Sequence, residues 1–225
     1  MYELSKKIIM KKYKLTDECI TIGGYKLYRI EALKDFSWAK KGDKGGFVEH
    51  EGNLSHEGDC WIYGNAMVYD NAKVSESAIV YENAIVREEA IIRGLAIVRG
   101  SSIVRGLAIV RGSSIVEGHS LVLGNAVVSG TSIVRGISTV LGHASIFNAK
   151  IERSSDYIVF QNWWGSLRHF TWLKSNNMWK VGCFYGTGEE LIKKAYNDGE
   201  ISGREYQRVV DYVESILREE KLKKN

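Results

Sequence analysis

The chain has 225 residues, a formal net charge of +4, 44% hydrophobic and 26% charged side chains, and no proline. Average usage would place roughly 11 prolines in this length, so a proline-rich linker, a polyproline ligand and a collagen-like segment are excluded. The composition is globular rather than disordered, the charge is modest for a dedicated nucleic-acid binder, and no apolar run approaches the roughly 20 residues of a membrane helix.

At the N-terminus, MYELSKKIIMKK holds an apolar stretch of only Ile8, Ile9 and Met10, too short for a signal peptide, and a cytoplasmic protein is expected. Next, CITI (19–22) and YKLYRI (25–30) flank Gly23-Gly24, a two-residue turn signal that predicts a β-hairpin. KKGDKGGFV (40–48) reads as a loop; its glycines lack the spacing and the Ser/Thr of a phosphate-binding loop. Val48 and Leu54 are six apart but out of phase with Ile62, which allows a partial first coil.

From Cys60 onward the chain repeats every six residues. An aliphatic residue stands at each sixth position from Ile62 to Ile146 through fifteen hexads, and a small residue precedes each by two, as in Ala96 and Val98. Positions two apart share a face in a strand, so each hexad points a small and a branched residue inward. From Gly94 to Gly142 the corner two residues after the aliphatic is glycine in nine consecutive hexads. A helix fails, because six matches neither 3.6 nor 3.5 and the glycines would be costly.

The C-terminal segment, 151–225, reads as an α+β unit. YIVF (157–160), HFTWL (169–173) and WKVGCF (179–184) are expected strands, with a turn at Ser175-Asn176-Asn177. Thr187 with Glu190 and Ser202 with Glu205 are expected capping boxes of two helices, and the final EEKLKKN is expected to fray.

The hexad pattern resembles the hexapeptide-repeat, left-handed β-helix superfamily, in which three hexads make one triangular coil. The left hand and the triangle follow from that resemblance, not from the period. Fifteen hexads then make about five coils, a prism about 24 Å long at ~4.8 Å per strand. GGFVEHEGNLSHEGDCWIYGNA (45–66) and FTWLKSNNMWKVGCFYGTGEELIKKAY (170–196) resemble segments of phage and bacterial proteins labelled polymer-forming or hexapeptide-transferase-like. The expected architecture is a mainly β chain: a hairpin cap over 1–47, a left-handed parallel β-helix over 48–150, and the α+β unit over 151–225.

Several groups qualify as sites. Arg87, Arg93, Arg99, Arg105, Arg111 and Arg135 each follow an inward aliphatic residue. Stacking by three hexads sets Arg87 over Arg105, Arg93 over Arg111, and Glu117 between Arg99 and Arg135, a band of like charge suited to phosphates or carboxylates. A solubilising edge is the plainer alternative. Residues 59–89 hold six acids against two bases, and 90–135 five bases against one acid, so the prism is polarised along its length. Asp70 and Glu88 share one column, with Glu76 and Glu82 on the others; only Asp70 and Glu88 stack, too few oxygens for a metal. The superfamily's acyltransferases use a histidine base beside a coenzyme A groove. Here His119 and His143 fall on different corners and have no orienting partner, so both read as turn residues, and no catalytic residue is assigned. Cys19, Cys60 and Cys183 form neither a zinc pattern nor a disulfide framework. The aromatic C-terminal unit with Arg168, Lys174 and Lys180 reads as a core rather than a stacking platform.

One further row decides the expected assembly. The outward strand residue is aliphatic in ten consecutive hexads, and Ile79, Ile97, Ile115 and Ile133 stack into one stripe, predicting a homo-oligomer, with a trimer favoured. The functional expectation is a non-enzymatic binding protein needing no cofactor or metal. It would hold a nucleotide-like anion or an acidic protein surface, as a phage-encoded counter-defence factor in the host cytoplasm. A coenzyme A-dependent acyltransferase and a structural, polymer-forming module are the alternatives.

Overall fold

A computed structural model describes residues 10–223. The opening residues 1–9, with Ile8 and Ile9 of the short apolar stretch, and the last two lie outside them. The described residues form two compact units: 10–142 with 146–154, and 143–145 with 155–223. None of the described helices is long and apolar enough to cross a membrane.

The first unit is a parallel β-solenoid capped by an antiparallel hairpin. Strands of two or three residues, β4 (Trp61–Ile62) to β19 (Lys150–Ile151), carry the hexads and stack into three sheets. Register confirms the three-hexad turn: Ile79 pairs with Ile97, Ile97 with Ile115, and Ile115 with Ile133. The small and aliphatic positions are sealed, with Ala96, Val98, Ala108 and Val110 all at 0% exposure. Covering each valine contributes about 1.5–3 kcal/mol. Serine replaces alanine in that inward row without an unpaired hydroxyl. Ser102 donates to the Arg99 carbonyl at 2.7 Å, and Ser114 to that of Arg111 at 2.7 Å.

The solenoid has about six turns, not five. Val48 pairs with Val68 and Leu54 bridges Val74, in each case an offset longer by two than that from Ile62 to its partner Val80. Two extra residues in the 55–61 segment therefore shift the phase without breaking the coil. At the other end Val134 pairs with Ile151 and not with the following residue, so the last turn is one residue short.

The expected hairpin is longer than read: β1 (Tyr13–Ile22) pairs with β2 (Tyr25–Ala32) around Gly23-Gly24. The segment read as a loop ends instead in a strand, β3 (Lys44–Val48), antiparallel to β2 and parallel to β5 (Met67–Val68). Its glycines serve contact rather than flexibility. A Cβ on Gly46 would stand 2.5 Å from the Ala66 carbonyl oxygen, and one on Gly45 2.6 Å from that of Ile62. The hairpin thus extends one face of the solenoid and covers its first edge.

The second unit holds a four-stranded antiparallel sheet: β20 (Tyr157–Gln161), β21 (His169–Leu173), β22 (Met178–Val181) and β23 (Phe184–Gly186). WKVGCF is thus two strands, divided where Gly182 turns at φ 54. Two helices follow, α1 (Gly188–Asp198) and α2 (Glu200–Leu222). Thr187 and Glu190 form the capping box of α1. Ser202 caps nothing: α1 stops at Gly199, α2 begins at the next residue with Gly199 as its N-cap, and Ser202 falls inside the first turn. The expected fray also starts late, because α2 continues to Leu222 and Lys174 meets Glu220 at 2.7 Å. Phe170, Trp172 and Trp179 pack with Leu191, Tyr206 and Val210 in the core, as read.

Candidate functional site

Each arginine of the band sits one residue past a two-residue strand, at the start of a corner. Stacking by three hexads divides the six among three corners, two to a corner. Arg87 and Arg105 share the first, Arg99 and Arg135 the second, and Arg93 and Arg111 the third. The band wraps the solenoid and does not converge on one point.

Acids largely neutralise the first two corners. Glu88 bridges Arg87 at 3.1 Å and Arg105 at 3.3 Å. Arg99 donates through a terminal nitrogen to the Tyr81 hydroxyl at 2.8 Å and through Nε to Glu117 at 2.7 Å, and these two contacts, Tyr81 foremost, push its pKa further up. Arg135 does not share Glu117 but pairs with Glu152, whose carboxyl is held below its ordinary range by Lys150 and Arg135. The premise of stacked cations without acid partners is therefore corrected at these corners. Tyr81 and Glu152 were missed from sequence because one column pairs a ring with a base and the other follows the shortened last turn.

The third corner differs. Arg93 and Arg111 are both exposed, and among the described residues the one ion-pair contact of Arg93 is with Glu76 at 4.0 Å. Among the described residues Arg111 makes no ion pair. Arg93 donates its backbone N–H to Val110, which fixes it one coil from Arg111, about 4.8 Å along the stack.

The acids at the early corners are used by the fold itself. Asp70, Glu76, Glu82 and Glu88 take the corner position that is glycine in later hexads, all with positive φ between 55° and 62°. Their side chains reach the next coil: Asp70 accepts from the Glu88 N–H at 3.2 Å, and Glu82 from that of Gly100 at 2.7 Å. These hydrogen bonds offset part of the left-handed strain. Among the described residues no group of three or more His, Cys, Asp or Glu side chains is gathered to hold a metal ion.

His119 and His143 are both exposed. His143 has a neighbour that sequence did not reveal, the ring of His169 stacked at 4.0 Å with planes 7° apart. The stripe of Ile79, Ile97, Ile115 and Ile133 is continuous along one sheet and half-buried throughout. No protein-family model matches the chain, and no curated protein matches it.

Proposed function

We propose that the protein is a non-enzymatic binding protein that holds an anion on the third corner of its solenoid. Arg93 and Arg111 carry this reading: they stand exposed one coil apart, and among the described residues their one ion-pair contact is that of Arg93 with Glu76 at 4.0 Å. Two guanidiniums at that spacing fit the oxygens of one phosphate or carboxylate, each able to present a planar fork of donors. The other four arginines serve mainly to lock successive coils through Glu88, Glu117 and Glu152. We read the solenoid as a member of the hexapeptide-repeat superfamily, a reading that its three-hexad register and glycine corners support, and its left hand as what that resemblance implies. The likeness of its flanks to phage-encoded segments extends the reading to a counter-defence factor in the host cytoplasm. It would act by sequestering a nucleotide-like ligand or by blocking an acidic host surface. Titration calorimetry with pyrophosphate and with a dinucleotide, at low and high salt, tests the site. Arg93→Ala with Arg111→Ala should abolish binding, whereas Arg99→Ala should weaken it little. Equal affinity in the double variant and the parent would reject the reading.

A further inference from the structure

The C-terminal unit contains a hollow of about 290 Å³ between α1, the loop 162–168 and the start of β23. Val181, Phe184 and Leu191 give its wall an apolar part, Ser166, Ser202 and Tyr206 line it with hydroxyls, and Arg168 and Lys194 stand exposed on its rim. Neither cation forms an ion pair among the described residues. At its inner end lies Asn162, only 8% exposed.

Asn162 is held rigidly. Its backbone N–H donates to the Arg168 carbonyl at 2.8 Å, and its own carbonyl accepts from Leu167 at 2.9 Å. Its side-chain Nδ2 donates to the Tyr206 hydroxyl at 3.4 Å, but its buried Oδ1 has no donor. Buried polar atoms are normally paired, so the orphaned amide oxygen of a residue that lines a hollow marks an acceptor for a guest that presses past Gly165. Gly165 keeps the approach open, since a Cβ there would stand 3.0 Å from Oδ1. Asp198 on the rim offers a second acceptor.

We infer that this hollow binds a small organic anion that also carries an N–H donor. Its charged group meets Arg168 and Lys194, its apolar or flat body lies against Phe184 and Leu191, and its N–H donates to Asn162 Oδ1. Two sources share this chemistry: a nucleoside monophosphate, with phosphate at the rim and the exocyclic amine inside, and an apolar amino acid, with carboxylate on the cations and ammonium on Asp198 or Asn162. The site lies in the C-terminal unit and does not depend on the arginine corner.

Calorimetry on the full chain tests it with three probes: adenosine monophosphate, phenylalanine and inorganic phosphate. One of the two organic anions should bind below ~1 mM and at least about tenfold more tightly than phosphate. Which one binds identifies the source. Lys194→Glu reverses an exposed rim charge and should weaken binding about tenfold or more. Gly165→Ala sets a methyl in front of Oδ1 and should weaken the organic probe while leaving phosphate unchanged. An unaltered circular dichroism spectrum and melting temperature confirm that both variants fold. Failure of both organic probes to bind, affinity equal to that of phosphate, or indifference to both substitutions would overturn the assignment.

Discussion

The Nζ of Lys12 lies 3.3 Å from the Sγ of Cys60, and both side chains are fully sealed from solvent. The same ammonium donates to the Cys60 carbonyl at 2.8 Å and to that of Gly58 at 3.2 Å. It sits 5.0 Å from the Phe36 ring centroid. The start of the hairpin is thus tied to the enlarged 55–61 corner through the Gly58 and Cys60 carbonyls. Burial lowers the Lys12 pKa against the pull of Cys60, and burial raises that of the Cys60 thiol against the pull of Lys12.

Lys12→Met keeps most of the packing volume and removes the donor, leaving the buried Cys60 carbonyl unpaired. A loss of about 1–3 kcal/mol is expected, read from urea midpoints. The native protein should expose two of its three thiols to a disulfide reagent, Cys19 and Cys183, with Cys60 reacting only on unfolding. Fast reaction of all three would contradict the sealed pair.

Stability should fall with acid below the ordinary histidine value of 6.5 because of His56. Its ring stacks on Tyr13 at 4.4 Å, and its Nδ1 accepts the Lys12 backbone N–H at 3.2 Å. Burial lowers its pKa, outweighing the opposite pull of Glu51 at 3.7 Å. Between its folded and unfolded values the unfolded chain binds the proton and the native chain does not, so lowering the pH favours unfolding. His56→Gln should flatten the decline between about pH 7 and pH 5 in urea titrations. An identical slope would assign the decline to other groups.

Corner glycines should separate into two classes. A Cβ on Gly94 would stand 2.8 Å from the Gly112 nitrogen at φ +76, whereas one on Gly142 meets nothing within 4 Å at φ +65. Gly142→Ala should cost only the left-handed strain, about 1–2 kcal/mol. Gly94→Ala adds a clash with immovable backbone and should cost about 1–3 kcal/mol more. Equal melting temperatures for the two variants would refute the distinction.

Assembly should be a trimer of the 25.3 kDa chain. Ile79, Ile97, Ile115 and Ile133 are already half-buried, so covering what remains of each contributes about half of the 1.5–3 kcal/mol of a full burial, a gain that favours association. Light scattering should give three chains per particle, and Ile97→Lys with Ile115→Lys should give single chains. A single-chain particle from the unaltered protein at micromolar concentration would rule out assembly through this stripe.

The solenoid was legible because its code is local. Ala96 and Val98 share a face by alternation within one strand, and Gly94 and Gly100 mark consecutive corners, so period six reveals both without any distant contact. The Thr187–Glu190 box was readable for the same reason, since both partners lie within one helical turn. Tertiary structure alone settled where the repeat begins and ends: Val48 joins the coil only because the 55–61 corner absorbs two residues, and a phase shift hides such a join from period counting. It alone also paired the charges, because Glu88 reaches two arginines and Arg135 takes Glu152 rather than Glu117 according to side-chain reach across coils. The orphaned oxygen of Asn162 is of the same kind: whether a buried amide finds a partner depends on which groups other elements bring within hydrogen-bond reach, and no spacing along the chain encodes that.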